Sequence, residues 1–115
     1  MVIHRGEIYV VDFSGTTGRE QAGKRPAVVV SSDLVNQSPL VVTVVPATKA
    51  DNVTRDYSTN VRVAVAESGL RMDSVFLCFQ IRAVDAARLE PRPIGRLSPS
   101  AMARIDEALK AVLDL

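Results

Sequence analysis

Any chemistry in this chain must be run by a short set of side chains. Its one histidine, His4, lies beside the start of the sequence. A histidine acid–base pair therefore cannot form within one chain, and a Ser-His-Asp triad would have to recruit that terminal ring. The carboxylates that could hold a catalytic metal are dispersed (Asp12, Glu20, Asp33, Asp51, Asp56, Glu67, Asp73, Asp85, Glu90) and show no close-spaced ligand motif. The single cysteine excludes an intramolecular disulfide and a thiolate cage. That residue, Cys78, sits in the apolar run Val75-Phe76-Leu77-Cys78-Phe79 and reads as a small buried hydrophobe, with Phe79 assigned to the core beside it. No glycine-rich phosphate loop with its Lys-Ser/Thr pair is present. What remains is Arg, Lys, Ser, Thr and Gln.

Such a set can cleave RNA without a metal or other cofactor. The ribose 2′-hydroxyl is an internal nucleophile already held near phosphorus, so proximity removes much of the entropic barrier. The protein then has to neutralise charge on a phosphorane-like transition state and to assist departure of the 5′-oxygen. Arg supplies two directional charged donors for the first task, and a Thr hydroxyl can donate to the leaving oxygen for the second. DNA, which lacks the 2′-hydroxyl, should be inert. The basic residues suit this in kind: of 14, 11 are Arg and three are Lys. Net charge is only +1, so phosphate would be met in a local groove (Arg19, Lys24, Arg25, Lys49 and Arg82) and not on a wholly basic surface. Aromatics make up 4% of the chain. Stacking platforms are therefore few, with Phe13, Tyr57 and Phe79 the candidates, and recognition should rely on base-edge hydrogen bonds.

The elements that must position these groups are mostly strands. With 115 residues, 47% apolar and 23% charged, the sequence has the makings of one domain, residues 1–115, with a modest core. Short β-branched runs predict strands at Glu7–Phe13, Pro26–Ser32, Leu40–Pro46, Ser58–Val65 and Ser74–Ile81, and a weaker one near Arg92–Arg96. Runs such as Ala27-Val28-Val29-Val30 are apolar on both faces, which implies a closed or nearly closed small barrel, or a sheet covered by a second subunit. The short spacing leaves no room for helical crossovers, so the sheet should be antiparallel. Ser98-Pro99 opens a helix, with Leu97 and Met102 placed as a hydrophobic staple. Met102, Ile105, Leu109, Val112 and Leu113 then form its apolar stripe. Two polar segments, Ser14–Lys24 and Ala47–Asp56, read as long loops, where binding and catalysis concentrate. No bilayer-length apolar stretch and no leader-like start occur, so a soluble, cytoplasmic protein is expected.

Four segments, in order, resemble the MazF/PemK toxin family. Gly6-Glu7-Ile8-Tyr9-Val10-Val11-Asp12-Phe13 followed by Gly18-Arg19-Glu20-Gln21-Ala22-Gly23-Lys24-Arg25-Pro26 is similar to the family's opening. Val44-Val45-Pro46-Ala47-Thr48 resembles its second motif. Ser74-Val75 through Gln80-Ile81-Arg82-Ala83-Val84-Asp85 resembles its third, and Gly95-Arg96-Leu97-Ser98 with the final helix its end. Phe79 departs from the pattern, standing where relatives commonly carry an acid. The resemblance implies an SH3-like barrel, a homodimer, sequence-selective cleavage of single-stranded RNA and inhibition by a cognate MazE-like antitoxin. It places the catalytic pair on Arg25 and Thr48 and an RNA-binding surface on Glu20, Gln21 and Gln80, to which the groove reading adds Arg19 and Lys49. Because a guanidinium is almost always protonated, Arg25 is expected to clamp the transition state, with the 2′-hydroxyl proton passing to water, a phosphate oxygen or Glu20. A non-enzymatic toxin of the same fold that binds a protein such as DNA gyrase, or a cleavage-dead interaction module, remain the alternatives.

Overall fold

Side-chain alternation along three strands sets the architecture. The computed structural model describes residues 2–37 and 40–115. In it, β1 (Glu7–Asp12), β2 (Lys24–Val29) and β3 (Val41–Lys49) lie side by side and antiparallel. Tyr9, Val11, Ala27, Val29, Val42 and Val44 enter one core, while Ile8, Val28, Val45 and Ala47 enter another on the opposite face. Both faces are buried, as the doubly apolar runs require.

Around this centre lie α1 (Asp33–Asn36), β4 (Asn60–Val63), α2 (Val65–Ser68), β5 (Ser74–Leu77), β6 (Arg82–Asp85), β7 (Gly95–Arg96) and α3 (Pro99–Leu113). The strand order is β4-β5-β3-β2-β1-β7, with β6 beside β3, and the recorded pairings are antiparallel. After β6 the chain reaches β1, where Leu89 bridges Val11 and the Glu90 amide donates to the Val10 carbonyl at 2.9 Å. The sheet thus curls into a half-barrel around the first core, and α3 covers the second. The expected mainly β barrel with a C-terminal helix is what forms.

The Ser98 hydroxyl accepts from the Ala101 amide at 3.1 Å, and Pro99 occupies the first turn of α3. The buried line of α3 is nevertheless Ala101, Ile105 and Ala108, with Met102, Leu109 and Val112 packed at its margins and Leu113 50% exposed. The expected stripe is rotated because two small alanines let the helix axis approach the sheet, which weighting by side-chain size conceals.

The expected strand Ser74–Ile81 is broken. β3 pairs with β5 at Ala47↔Phe76 and with β6 at Val44↔Arg82, so three residues along β3 correspond to six along its partner. The surplus is taken up by a 3₁₀ turn, Cys78–Gln80, closed by the Ile81 amide on the Cys78 carbonyl at 3.1 Å. Cys78 is buried, as expected, but Phe79 is thrown outward and is 51% exposed, which corrects its placement in the core. β2 begins two residues earlier than expected, at Lys24. The four-residue helices α1 and α2 are too short to leave a periodic signal.

Candidate active site

The strands β2 and β3 stop pairing at Ala27↔Pro46. Continuing that register by two residues sets Arg25 opposite Thr48. Pro26 and Pro46 flank this point and neither has an N–H to give to a ladder. Beyond it β3 keeps its other neighbour, β5, through Thr48↔Val75 and Lys49↔Ser74. Thr48 is therefore a strand residue and not part of a long loop, because β5 extends the pairing of β3 past Pro46. Where β2 and β3 part, a cleft of about 660 Å³ opens, lined by Lys24, Arg25, Pro26, Ala47, Thr48, Lys49, Gly69, Leu70, Arg71, Met72, Ser74 and Ile94.

Arg25 is half-buried, and its Nε donates to the Ala22 carbonyl at 3.0 Å. Both terminal amino groups stay available to converge on two oxygens of one phosphate. The Thr48 Oγ1 accepts from Asn52 Nδ2 at 2.9 Å. Asn52 carries no signal in the sequence. It belongs to a 3₁₀ turn, Ala50–Asn52, that follows β3 directly and folds back on it.

Of the cations expected to line the groove, Lys24, Arg25 and Lys49 do so, and Arg71 joins them. Among the described residues that line this cleft there are four cations and no carboxylate, a lining that favours an anion such as phosphate. Lys24 reaches Glu90 at 3.8 Å, an exposed pair of little energetic weight. Among the described residues no three His, Cys, Asp or Glu side chains gather in a cluster suited to a metal ion.

Arg19, Glu20, Gln21 and Gln80 sit beside the cleft and not in its lining. The β1–β2 loop starts where Asp12 accepts from the Ser14 hydroxyl and amide, which hold its carboxyl below the usual range. It then crosses the bulge after β5. There Gln80 Oε1 accepts from the Gln21 amide at 2.8 Å, and Gln80 Nε2 donates to the Arg19 carbonyl at 3.4 Å. Glu20 faces Arg82 at 3.6 Å and accepts from the Thr17 hydroxyl at 3.3 Å. The Arg82 guanidinium lies over the Phe13 ring, 5.2 Å from its centroid. Arg82 is thus occupied by Glu20 and Phe13 and is absent from the cleft. Phe13 itself is fully buried, which removes it from the candidate stacking platforms and leaves Phe79 and Tyr57. One hydrogen bond, from Arg25 to Ala22, ties this loop to the cleft.

Residues 4–113 match the model of the PemK-like, MazF-like toxins of type II toxin–antitoxin systems. The chain is 41% identical to the Mycobacterium tuberculosis endoribonuclease MazF9, covering 99% of this chain and 98% of that protein. It is 36% identical to the Bacillus subtilis endoribonuclease EndoA, covering 100% and 97%. A mycobacterial endoribonuclease solved in complex with its cognate antitoxin superposes with a TM-score of 0.80 at 22% identity, over 98% of this chain and 96% of that one. At that identity the superposition speaks for the fold.

Proposed function

The chain belongs to the PemK-like, MazF-like toxins of type II toxin–antitoxin systems, and from that premise we propose that it is a metal-independent endoribonuclease cutting single-stranded RNA. The observation that carries this reading is that Arg25 and Thr48, on different strands, border one cation-lined cleft. The 2′-oxygen bonds to phosphorus as the bond from phosphorus to the 5′-oxygen breaks, leaving a 2′,3′-cyclic phosphate and a 5′-hydroxyl. Arg25 binds two equatorial oxygens and neutralises the charge that grows there. Thr48 donates a hydrogen bond to the departing 5′-oxygen, which takes its proton from water, while the 2′-hydroxyl gives its proton to water or a phosphate oxygen. Glu20 is already engaged by Arg82, which favours those acceptors over it.

Lys49 and Arg71 attract the backbone beside the scissile phosphate. The loop carrying Arg19, Glu20 and Gln21, held by Gln80, offers base-edge donors and acceptors to an extended strand, which makes cleavage sequence-selective. The partners in this reading are RNA, a MazE-like antitoxin that competes for the groove, and a second copy of the chain. Exposed apolar side chains at Leu34, Val35, Leu40 and Val41 support self-association. No helix among the described residues is long and apolar enough to cross a membrane, and an RNA substrate suits the cytoplasm.

Incubating the purified protein with single-stranded RNA in chelator tests the reading. Defined fragments ending in cyclic phosphate are expected, with no cutting of the same sequence as DNA. Intact RNA under those conditions would sink it and turn attention to a protein target such as gyrase.

A further inference from the structure

We propose that Asn52 is a positioning residue that aims the Thr48 hydroxyl at the leaving oxygen, an inference that rests on the cleavage reading above. A hydroxyl has one proton to give and two lone pairs to offer. The Asn52 side-chain amide fills one lone pair of Thr48 Oγ1 from 2.9 Å. The hydroxyl proton cannot then point at Asn52 and is left to turn into the cleft that Thr48 lines. An amide that donates to a hydroxyl also polarises it, making its proton a better donor in turn.

Both partners stand on fixed backbone. Thr48 is held in β3 by its pairing with Val75. The turn that carries Asn52 is pinned from three directions. The Ala50 amide donates to the Asp73 carbonyl at 3.0 Å, and the Val53 amide closes the turn on the Ala50 carbonyl at 3.1 Å. Arg62 of β4 donates from Nη2 to the Val53 carbonyl at 2.6 Å, and its Nε is engaged by Asp56. Asn52 itself is exposed and adds nothing to the core. A fixed, solvent-facing amide aimed at a single hydroxyl is a device for orienting that hydroxyl.

The test compares the wild type with Asn52→Asp, Asn52→Ala and Thr48→Val on a single-stranded RNA oligonucleotide. Its scissile linkage is located first by sequencing fragment ends, then made with either oxygen or sulfur at the 5′ bridging position. A thiolate leaves without help from a donor. Asn52→Asp replaces the donor with an acceptor that captures the Thr48 proton, so kcat on the oxygen substrate should fall at least about tenfold with KM little changed. Asn52→Ala should fall less, and both should approach the wild-type rate on the sulfur substrate, a recovery that a merely misfolded or weakly binding variant could not show. A full kcat for Asn52→Asp on oxygen beside a slow Thr48→Val would overturn the positioning role alone, as would an equal loss on both substrates. A full rate for Thr48→Val on oxygen would remove the assignment of Thr48 and this proposal with it.

Discussion

Arg25 and Thr48 line one cleft, each two residues beyond the Ala27↔Pro46 pair at which β2 and β3 part. Arg25 is also paired with Val11, a residue of the core enclosed by the curled sheet. Thr48 lies an even number of residues from Val44 of the same core. Strand alternation therefore sends both side chains to one face, at the rim of the half-barrel. Arg25 is paired to β1 through Val11 and Thr48 to β5 through Val75, so the backbone positions from which guanidinium and hydroxyl project are set by the sheet.

That arrangement makes the shape of the Arg25 head group matter as well as its charge. Arg25 spends Nε on Ala22 and keeps two parallel donors for phosphate. Lysine offers one ammonium whose three N–H bonds diverge from a single nitrogen, so it cannot present a parallel pair of donors to phosphate while also reaching the Ala22 carbonyl. Arg25→Lys should lower kcat by about a hundredfold or more and leave the melting temperature close to that of the wild type. A near-normal rate would show that charge alone suffices.

Gln80 has both ends of its amide on the backbone of the β1–β2 loop. That loop in turn presents Ala22 to Arg25. Gln80→Ala should loosen the loop, cut kcat by roughly tenfold and relax the cleavage motif, because the base-reading segment is no longer held. Sequencing fragment ends from a mixed RNA pool checks this: an unchanged motif at an unchanged rate would mean that the loop keeps its shape without Gln80.

Much of this site could be read before folding. Arg25-Pro26 opens an apolar strand and Thr48 follows Val44-Val45-Pro46, but those residues alone equally suit a strand-opening proline and a turn-capping hydroxyl, and it is the resemblance to the toxin family that singles them out. The remainder depends on pairings between distant strands. Asn52 becomes meaningful only because β5 draws β3 out to Lys49, which sets where the chain turns back. Phe79 looks like core in an apolar run, and its exposure follows from three residues that β3 cannot match. Arg71 enters the cleft through a neighbouring loop, and nothing in Leu70-Arg71-Met72 marks it.

Alkaline stability should be limited by two buried acids. Burial pushes the Cys78 thiol from 9.0 to about 12. Burial, followed by the nearby Glu7 carboxylate, pushes the Tyr9 phenol from 10.0 to about 12. Both are neutral when protonated, so the folded state keeps protons that the unfolded chain gives up. Their contribution is complete below pH 9 and is lost as pH climbs towards 12. Denaturant unfolding should give a free energy that declines over that window, with a shallower decline in Cys78→Ala. Equal slopes in the two proteins would remove Cys78 from this account.

Gly95 has no room for a side chain. A Cβ built there would lie 2.4 Å from the Ser68 carbonyl oxygen and 3.5 Å from both Ile8 Cδ1 and Leu70 Cδ2. The first of these is backbone at the end of α2 and cannot swing away. Gly95→Ala should cost about 1–3 kcal/mol, read as a shift in the denaturation midpoint. An unchanged midpoint would mean that α2 and β7 separate more easily than their packing suggests.

The salt dependence of RNA binding should count the cations that engage phosphate. Lys24, Arg25, Lys49 and Arg71 line the cleft, and Lys24 is already shared with Glu90. If three to four of them contact phosphate, log K against log salt should fall with a slope of roughly −2 to −3, at about −0.7 per contact on a single strand. Arg71→Ala, which removes a cation without touching Arg25 or Thr48, should flatten that slope by about 0.7 and weaken all sequences equally. The measurement is best made with RNA carrying a 2′-deoxy residue at the scissile position, so that binding is read without cutting. A slope near zero would mean that the strand is held by base contacts alone, and an Arg71→Ala slope equal to that of the wild type would place the strand outside this cleft.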